Sequence, residues 1–529
     1  APDSRTYAFV AFGGDDSGGG FGGGRAIYTI AEDGTRMTRV NTAPPADATA
    51  TPRRGRRGRG GFGGGGDPQF SKDGRSLYFM QGGGVYSVAV SGGGGGESST
   101  PSPATGSGRR GRGFGGRGAA VSDSPAAGGA TPTRVNFTVR IEVDRAAERR
   151  QVFEEAWRVM KNRFYDKNMH GADWNAAKET YEKLLPNIDN TEELHNVIME
   201  MIGELNASHT GISGGEAPND LADRVQTRYP GFDLEPDEAG GYYKVTNVYR
   251  KGPADHEYVK LKTGNYVLSV NGRELKSNEN LWRLLNLVTG RKFEFRVNDK
   301  PQLDGAWTVT VDPISGMEQS NLQYETWVDA RRDMVNRLSD GQIGYLHIKA
   351  MDAPSLVRFQ RDLLDNLDKK ALIIDERFNG GGGIDQELLA ILSQRKKYES
   401  MRGRDSVELP RPSQGFFGPM AVLQNERSAS DAEMFPEGFR TLGLGKVIGT
   451  PTYGAVIGTG AFGLLDGSTI RTPGTGVFTA KGVNFENYGV QPDVLIDNIP
   501  ADFLAGHDRQ IEKAVEVLKG EVGVVGQAQ

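Results

Sequence analysis

The sequence of 529 residues contains no cysteine. This absence excludes disulfide bonds, a thiolate nucleophile and every metal site with cysteine ligands. An excess of charge of one sign is also lacking, since the formal net charge is −5 with 63 basic and 68 acidic residues. A nearly balanced chain has no global attraction to nucleic acid or to an anionic membrane, and we expect neither as a partner. No apolar run is long enough for a transmembrane helix.

Histidine is scarce, with six residues, whereas glycine is abundant, with 75, many of them before residue 135. The length suffices for three or four domains. No signal peptide is evident, and the chain starts at Ala1 inside a strand-like pattern, which favours a fragment or a processed form. We expect a cytoplasmic protein, and this start leaves a periplasmic or secreted location open.

Residues 425–436 are the most informative stretch. The apolar run at residues 419–423 precedes them and predicts a buried strand, and a short helical pattern follows. Ser430 therefore lies at a strand-to-helix turn, where its side chain can be exposed while backbone N–H groups point at a bound group. The ordinary interpretation is a capping box, in which Ser430 and Glu433 cap the helix.

Two further features count against a purely capping role for Ser430. Four glycines, residues 380–383, follow an apolar run, and Ser208 adjoins His209 at the end of a helical pattern. A serine, a histidine and an amide-rich turn are the parts that acyl transfer requires. The alternatives are a flexible turn for the glycines and a helix-capping role for His209. A phosphate-binding loop fits poorly, because no Gly-Lys-Ser/Thr follows the run.

The periodicity predicts a multidomain α/β protein with additional β parts. Strand-like runs at residues 7–12, 26–31 and 76–80 alternate with turns, and residues 32–35 carry a hairpin signal. Residues 141 to about 225 follow helical spacing. From residue 316 to about 520 strands alternate with helices, which predicts an α/β core with a mostly parallel sheet. Its predicted strands are residues 343–348, 371–375, 420–423 and 447–449.

Two Gly/Arg-rich inserts interrupt the N-terminal part, at residues 52–66 and within residues 91–133. Such segments are typical of RNA-binding tails, which makes an RNA-associated protein one alternative. We favour solvated loops between strands, because the segments are too polar to fold alone and strand patterns resume after each one.

Residues 425–436, 442–450 and 486–493, taken together, resemble the tricorn proteases, serine peptidases related to the C-terminal processing peptidases. The resemblance covers residues 144–518. It implies a serine endopeptidase that cleaves oligopeptides or unfolded proteins through an acyl-enzyme, without a metal or organic cofactor. It also implies a homo-oligomer. The alternative from another class is a non-catalytic peptide-binding scaffold.

The resemblance implies a role for four residues. Ser430 is the expected nucleophile and His209 the general base, because an imidazole titrates near neutral pH. Ser208, backed by Glu486, is expected to orient the base. A lysine base is typical of the C-terminal processing branch, and Ala455 stands where that lysine is expected. This difference favours His209 as the base.

The resemblance also implies an oxyanion hole and a specificity residue. The amide of Asp431 is one expected oxyanion donor, and Gly382 matches the second by position, with Gly381 and Gly383 left open by an extra glycine. Glu399 matches an acidic residue that contacts the substrate side chain before the cut, which would favour lysine or arginine there. Asp405 is the alternative, and so is a Glu399 that merely pairs with Lys396 or Lys397.

Two further modules are expected from resemblance. Residues 1–140 resemble partial β-propeller blades, and two blades cannot close a ring, so earlier blades are expected to be missing. Residues 229–315 resemble a PDZ domain, with Asn265 where aspartate is usual. A strand edge there would accept a peptide, unless the module is purely structural. The remaining segments are a helical part, residues 141–228, with Ser208 and His209, and an α/β catalytic core, residues 316–529, with Ser430 and Glu486.

Overall fold

The computed structural model describes residues 1–2, 5–13, 24–35, 37–40, 68–81, 84–90, 132–138, 140, 142–215, 227–286, 292–405 and 408–527. They form two compact units, Ala1–Glu142 and Val143–Gln529, which are treated separately below. The insert at residues 52–66 and nearly all of residues 91–133 lie outside the described residues, so the interpretation of both inserts stays a prediction.

In the described part of the first unit, the strands form two antiparallel sheets. Their orders are β1-β2-β3 and β4-β5-β6-β7. The predicted hairpin signal lies in the turn between β2 and β3, where Gly34 has a φ of +77° that glycine adopts without strain. Leu77, Phe79 and Val88 are buried in a small core. The strands are β1 (Thr6–Gly13), β2 (Gly24–Ala31), β3 (Thr38–Arg39), β4 (Gln69–Phe70), β5 (Ser76–Gln81), β6 (Gly84–Ala89) and β7 (Thr133–Arg134).

The second unit begins with three helices, in the range from residue 141 to about 225 that the periodicity predicts to be helical; residues 211–214 of that range form a strand, so this part of the prediction is wrong. They are α1 (Arg145–Arg163), α2 (Trp174–Glu182) and α3 (Thr191–Gly203). Asp144, Asp173 and Asn190 cap their N-termini by accepting backbone N–H groups. The apolar faces pack into one core, and this fixes the end of α3, after which Ser208 and His209 follow.

An antiparallel β module follows. Its strand order is β14-β13-β11-β10-β9, with β12 paired to β11, so among the described residues one edge of β9 has no strand partner. Its core is rich in phenylalanine and valine. The elements are β9 (Phe232–Asp237), β10 (Tyr242–Val248), β11 (Tyr266–Val270), β12 (Arg273–Glu274), α4 (Leu281–Asn286), β13 (Phe293–Asn298) and β14 (Trp307–Val311).

A parallel five-stranded sheet forms the centre of the second unit, as the strand-helix alternation predicts. Its order is β15-β16-β19-β20-β23, and every pair is parallel. Both faces are covered, which explains why three of these strands are continuous apolar runs. The strands are β15 (Ile343–His347), β16 (Ala371–Asp375), β19 (Met420–Gln424), β20 (Gly445–Gly449) and β23 (Val494–Leu495).

Helices lie on both faces of this sheet. One face packs on α6, α7 and α8, and the other on α5 and α10. The helices are α5 (Gly316–Ser339), α6 (Ala353–Leu364), α7 (Asp385–Leu392), α8 (Asp431–Thr441), α9 (Pro500–Ala505) and α10 (Arg509–Gln527). None of the helices in the described ranges is both long and apolar enough to cross a membrane.

Two smaller sheets flank the core. The hairpin β17 (Glu399–Met401) and β18 (Leu409–Arg411) stands alone. The other sheet has the order β21-β22-β8, formed by β21 (Ile457–Gly463), β22 (Ser468–Gly476) and β8 (Gly211–Gly214). Because β8 starts two residues after His209, this sheet ties the helical part to the core. The glycine run and Ser430 follow neighbouring strands, β16 and β19, at the carboxyl edge where α/β sheets bind ligands.

Candidate active site

Ser430 occupies a strained turn between β19 and α8. Its φ is +60° and its ψ is −122°, values that non-glycine residues rarely adopt. Such strain persists where the surrounding structure over-determines the backbone, most often at functional sites. The turn leaves the Ser430 side chain half-buried at the carboxyl edge of the sheet.

Only half of the predicted capping box forms. The Glu433 carboxylate accepts a hydrogen bond from the Ser430 N–H at 3.0 Å, which is one half. The Glu433 N–H donates to the Ser430 carbonyl oxygen at 2.8 Å and not to the hydroxyl. The hydroxyl oxygen instead lies 3.1 Å from Nε2 of His209. The serine side chain is therefore free of the cap and available for chemistry.

A hydrogen-bonded relay extends from Ser430 to a buried carboxylate. His209 Nδ1 lies 2.7 Å from Ser208 Oγ, and that hydroxyl donates to Glu486 Oε2 at 2.9 Å. The Ser208 N–H also donates to Glu486 Oε1 at 2.6 Å, and the Val456 N–H donates to Oε2 at 2.8 Å. The structure thus brings together all four residues, which are separated in sequence by up to 278 positions.

The hydrogen bonds fix the tautomer that His209 would need as a base. Since the Ser208 hydroxyl donates to Glu486, its oxygen accepts from His209 Nδ1–H, and the lone pair of Nε2 faces Ser430. Desolvation lowers the pKa of His209, the positive charge of Arg471 lowers it further, and Glu486 opposes both. The imidazole is therefore neutral near pH 7 and can accept a proton.

The glycine run lies directly against the Ser430 turn. A Cβ placed on Gly381 would lie 2.6 Å from Ser430 Cβ and 2.6 Å from the Ala429 carbonyl oxygen, so no larger residue fits there. The Gly381 N–H donates to Asn379 Oδ1, and the Gly383 N–H donates to the Met351 carbonyl oxygen.

Of the three candidate glycines, Gly382 alone has an N–H without a hydrogen-bond partner among the described residues. The N–H of Asp431 also makes no hydrogen bond within the described ranges, because it belongs to the first turn of α8. The helix dipole adds positive potential at this end. Two unpaired N–H donors thus flank the serine turn, which is the arrangement that stabilises an oxyanion.

The Asp431 side chain lies beneath the turn and joins the starts of two helices. Its Oδ2 accepts from the N–H of Ile384 at 2.7 Å and of Asp385 at 3.2 Å. Burial and the neighbouring Asp385 carboxyl group raise the pKa of Asp431 to about 7. About half of the Asp431 carboxyl groups therefore still carry a proton near pH 7.

Glu433 caps the helix and also holds a distant segment of the chain, a second role that the Ser-x-x-Glu motif does not predict. The buried carboxylate accepts from Thr452 Oγ1 at 2.5 Å, from the Gly454 N–H at 2.7 Å and from the Ala455 N–H at 2.8 Å. It thereby fastens residues 452–455 to the Ser430 turn. Burial raises its pKa, and these donors oppose that rise. Ala455, which stands where the C-terminal processing branch carries its lysine base, is buried in this segment, and its methyl side chain cannot titrate.

Glu399 lies on the exposed hairpin, on β17 opposite Arg411 of β18. Within the described ranges it makes no contact with the Ser430 group. The alternative interpretation pairs Glu399 with Lys396 or Lys397, and of these two lysines Lys397 pairs with Glu408 at 3.5 Å. Asp405 is exposed as well. A specificity role for Glu399 stays a prediction.

No group of three or more histidine, aspartate or glutamate side chains within the described ranges could hold a metal ion. The residues that sequence patterns missed are Arg471, Thr459 and Asp385. Each acts through contacts with segments distant in the chain, so no local motif marks them.

The chain is similar to known peptidases over most of its length. Residues 342–496 match peptidase family S41, and residues 145–203 match the tricorn protease C1 domain. The tricorn protease of Thermoplasma acidophilum is 31% identical over 383 residues, covering 70% of this chain and 35% of that protein. Tricorn protease homolog 1 of Streptomyces coelicolor is 29% identical over 389 residues, covering 71% and 36%.

A solved structure shares the fold. The crystal structure of the tricorn protease superposes with a TM-score of 0.69 at 23% identity, covering 98% of this chain and 46% of that one. The chain spans about a third of the length of the two curated relatives named above.

Proposed function

The chain belongs to the tricorn-like members of peptidase family S41, and from this premise we propose that it hydrolyses peptide bonds through an acyl-enzyme on Ser430. The observation that carries the proposal is the continuous hydrogen-bonded chain from Ser430 through His209 and Ser208 to Glu486. A serine hydroxyl becomes an effective nucleophile only when an adjacent base takes its proton. The substrates we propose are oligopeptides or unfolded proteins.

In the first half-reaction, Ser430 Oγ attacks the scissile carbonyl carbon while His209 Nε2 takes the hydroxyl proton. The carbonyl oxygen becomes an oxyanion, which the N–H groups of Gly382 and Asp431 stabilise. Collapse of this intermediate breaks the C–N bond, and the imidazolium returns its proton to the leaving amine. An ester between Ser430 and the acyl fragment remains.

Water completes the cycle. His209 takes a proton from the attacking water, the second oxyanion uses the same N–H groups, and the serine leaves with the proton that the imidazolium returns. Throughout, Ser208 and Glu486 hold His209 in the tautomer that accepts at Nε2 and stabilise its charged form. The negative charge of Glu486, which opposes the lowering of the His209 pKa, supports this role.

Hydrolysis of casein and of fluorogenic peptides by the wild type and by Ser430→Ala tests the proposal. We expect the variant to lose at least about 1,000-fold in kcat, as nucleophile deletions do elsewhere, with an unchanged thermal melt. Ser213→Ala is a matched control, since Ser213 is exposed and lies on β8 close to His209 in sequence. Equal turnover in the wild type and Ser430→Ala would eliminate the mechanism. Peptide binding without hydrolysis would instead indicate the non-catalytic scaffold.

We further propose three properties of the surrounding chain. The two antiparallel sheets of the first unit would be partial propeller blades, and the β9–β14 module would be a PDZ-like domain that takes a peptide strand at the free edge of β9. The protein would form a homo-oligomer. Light scattering at micromolar concentration that gives the monomer mass would contradict the last property.

A further inference from the structure

A second series of hydrogen bonds lies behind the relay, in side chains that the mechanism does not use. His170 follows α1 in a short turn, and its Nδ1 is 2.9 Å from the Leu205 carbonyl oxygen. Its Nε2 is 2.6 Å from the hydroxyl oxygen of Tyr165, which accepts from Asn484 Nδ2 at 2.9 Å. Asn484 Oδ1 in turn accepts from the N–H of Glu486 at 3.1 Å. We call the side chains of His170, Tyr165 and Asn484 the outer bridge.

The direction of each hydrogen bond in the outer bridge follows from groups that can only donate or only accept. The Leu205 carbonyl oxygen only accepts, so the neutral His170 ring has its proton on Nδ1 and its lone pair on Nε2. The Tyr165 hydroxyl therefore donates to Nε2, and its oxygen accepts from Asn484. Burial raises the pKa of Tyr165, so the hydroxyl keeps its proton throughout the neutral range. The Glu486 N–H only donates, which fixes the Asn484 oxygen toward it.

Backbone and ring contacts hold the outer bridge in place. His170 has a φ of +52°, which is uncommon for a residue other than glycine, and its N–H donates to Asp166 Oδ2 at 3.0 Å. Its ring meets Phe164 edge-on, with 4.9 Å between the ring centroids. The Tyr165 ring lies on Gly476 of β22, where a Cβ would come within 2.5 Å of it. Both rings are therefore confined, as groups that position a site need to be.

The outer bridge joins residues 205–208 to residues 484–487, the two segments that supply Ser208 and Glu486 to the relay. A second link between the same segments is the hydrogen bond from Asn487 Nδ2 to the Asn206 carbonyl oxygen at 2.8 Å. The relay hydrogen bonds span these two segments as well, so their lengths depend on the spacing that both links set.

We propose that Tyr165 and His170 are positioning residues, which hold Ser208 and Glu486 at the separation that the relay requires. The inference rests on the proposed peptidase function and adds to it two residues from the helical part of the protein. Neither makes a hydrogen bond with Ser430 within the described ranges, so they act through the relay. Such positioning affects the rate, since a misplacement of about 1 Å can lower a rate about 100-fold.

Tyr165→Phe tests the inference, because it removes one hydroxyl and keeps the aromatic ring. The change leaves His170 Nε2 without a donor and the Asn484 amide without an acceptor. We expect kcat for a fluorogenic peptide to fall roughly tenfold with little change in KM, because the relay is displaced while the groups that contact substrate remain. Tyr181→Phe is the matched control, since its hydroxyl donates to Glu204 at 2.9 Å in the same helical part, and it should keep the wild-type kcat.

Asn484→Ala opens the outer bridge at its other end and provides a second, independent variant. It removes both the donor to Tyr165 and the acceptor for the Glu486 N–H. We expect a loss of kcat similar to that of Tyr165→Phe. Thermal melts of all variants show which of them fold. A folded Asn484→Ala with wild-type kcat would contradict the inference.

A double-mutant cycle with Glu486→Gln shows whether Tyr165 acts through the relay. The effects of independent residues multiply, whereas the effects of residues that share one interaction do not. Because Glu486→Gln already disrupts the relay, adding Tyr165→Phe should lower kcat by no more than about twofold further. A full additional loss, equal to that of Tyr165→Phe alone, would show that the outer bridge only ties the helical part to the core.

The pH profile provides a readout that a general loss of stability does not move. Burial and Arg471 lower the pKa of His209, and Glu486 opposes both. A displaced Glu486 stabilises the imidazolium less, so the acid limb of kcat/KM should move to lower pH in Tyr165→Phe. Tyr181→Phe should leave the acid limb in place.

Two sets of results have different consequences. Wild-type kcat and an unshifted acid limb in a folded Tyr165→Phe would overturn this inference alone. Absence of both hydrolysis and fluorophosphonate labelling in the wild type would overturn the proposed peptidase function, and this inference with it.

Discussion

Replacing Glu486 with glutamine tests the relay, because the two side chains have the same shape and differ in one hydrogen-bonding atom. Glu486 accepts three hydrogen bonds, from the Ser208 N–H, the Ser208 hydroxyl and the Val456 N–H. A carboxamide has only one oxygen. In either orientation, its NH₂ group meets one of the two backbone N–H donors, which cannot turn away.

The magnitude follows from these contacts. An unpaired buried N–H costs about 1–3 kcal/mol of stability. When the NH₂ group replaces Oε2 and faces the Ser208 hydroxyl, that hydroxyl accepts from it and donates its own proton to His209 Nδ1. That places the proton on His209 Nε2, so the nitrogen that faces Ser430 is no longer an acceptor. Loss of a hydrogen bond to a charged group, about 1.5–3 kcal/mol, corresponds to a roughly 10- to 150-fold lower kcat.

The assay is kcat for a fluorogenic peptide between pH 5 and 9, with a thermal melt in parallel. Because Glu486 raises the pKa of His209, its neutralisation should also move the acid limb to lower pH. Glu426→Gln is the matched control, since Glu426 is exposed and lies in the serine turn, where its contact is with Thr450 Oγ1 at 3.2 Å. We expect the control to stay within twofold of wild type. Full kcat in Glu486→Gln across the pH range would refute the relay.

Three further predictions concern the surroundings of the serine. Gly381→Ala should reduce kcat at least about 100-fold, since its Cβ would lie 2.6 Å from the Ala429 carbonyl oxygen. The control Gly383→Ala, whose Cβ would have no atom within 4 Å, should have a kcat close to that of the wild type. Similar kcat values for the two variants would contradict the close packing of Gly381. Because the pKa of Asp431, about 7, exceeds its ordinary 3.8, unfolding free energy should fall by at most about 4 kcal/mol as pH rises from 4 to 8. Asp385→Asn should lessen that fall in pH-dependent melts, and an identical slope would count against the carboxyl pair. Glu399→Gln should abolish a preference for arginine over leucine before the cut, and equal wild-type rates would remove Glu399 from substrate selection.

The elements with strong local signals are the ones that the sequence predicts well. The apolar runs of β15, β16 and β19 are buried on both faces, and a continuous apolar strand of this kind fits a covered parallel sheet. The spacing in α1 and α3 reflects one apolar face each. In these segments the local sequence pattern agrees with the tertiary packing, so the pattern alone is enough to predict the element.

Local sequence patterns predict the residues of the candidate site less well than they predict these elements. Ser430 alone looks like a helix cap, and the half-formed capping box shows that this interpretation is partly correct. The sequence pattern marks His209 only as a possible part of an acyl-transfer site, and the family resemblance supplies its role and that of Glu486, both of which meet Ser430 only through the fold. Arg471 and Thr459 carry no motif, because their relation to His209 depends on the register between β22, β21 and β8. No local sequence pattern marks a contact between residues about 250 positions apart.

The most direct test of the central claim is to identify which serine an active-site reagent modifies. The protein is treated with a fluorophosphonate, digested and analysed by mass spectrometry, beside Ser430→Ala and His209→Ala. We predict a single modified residue, Ser430, with modification absent in Ser430→Ala and slowed by at least about 100-fold in His209→Ala, because the hydroxyl is activated only by the neighbouring imidazole. Modification of another serine, or an unchanged rate in His209→Ala, would contradict the account.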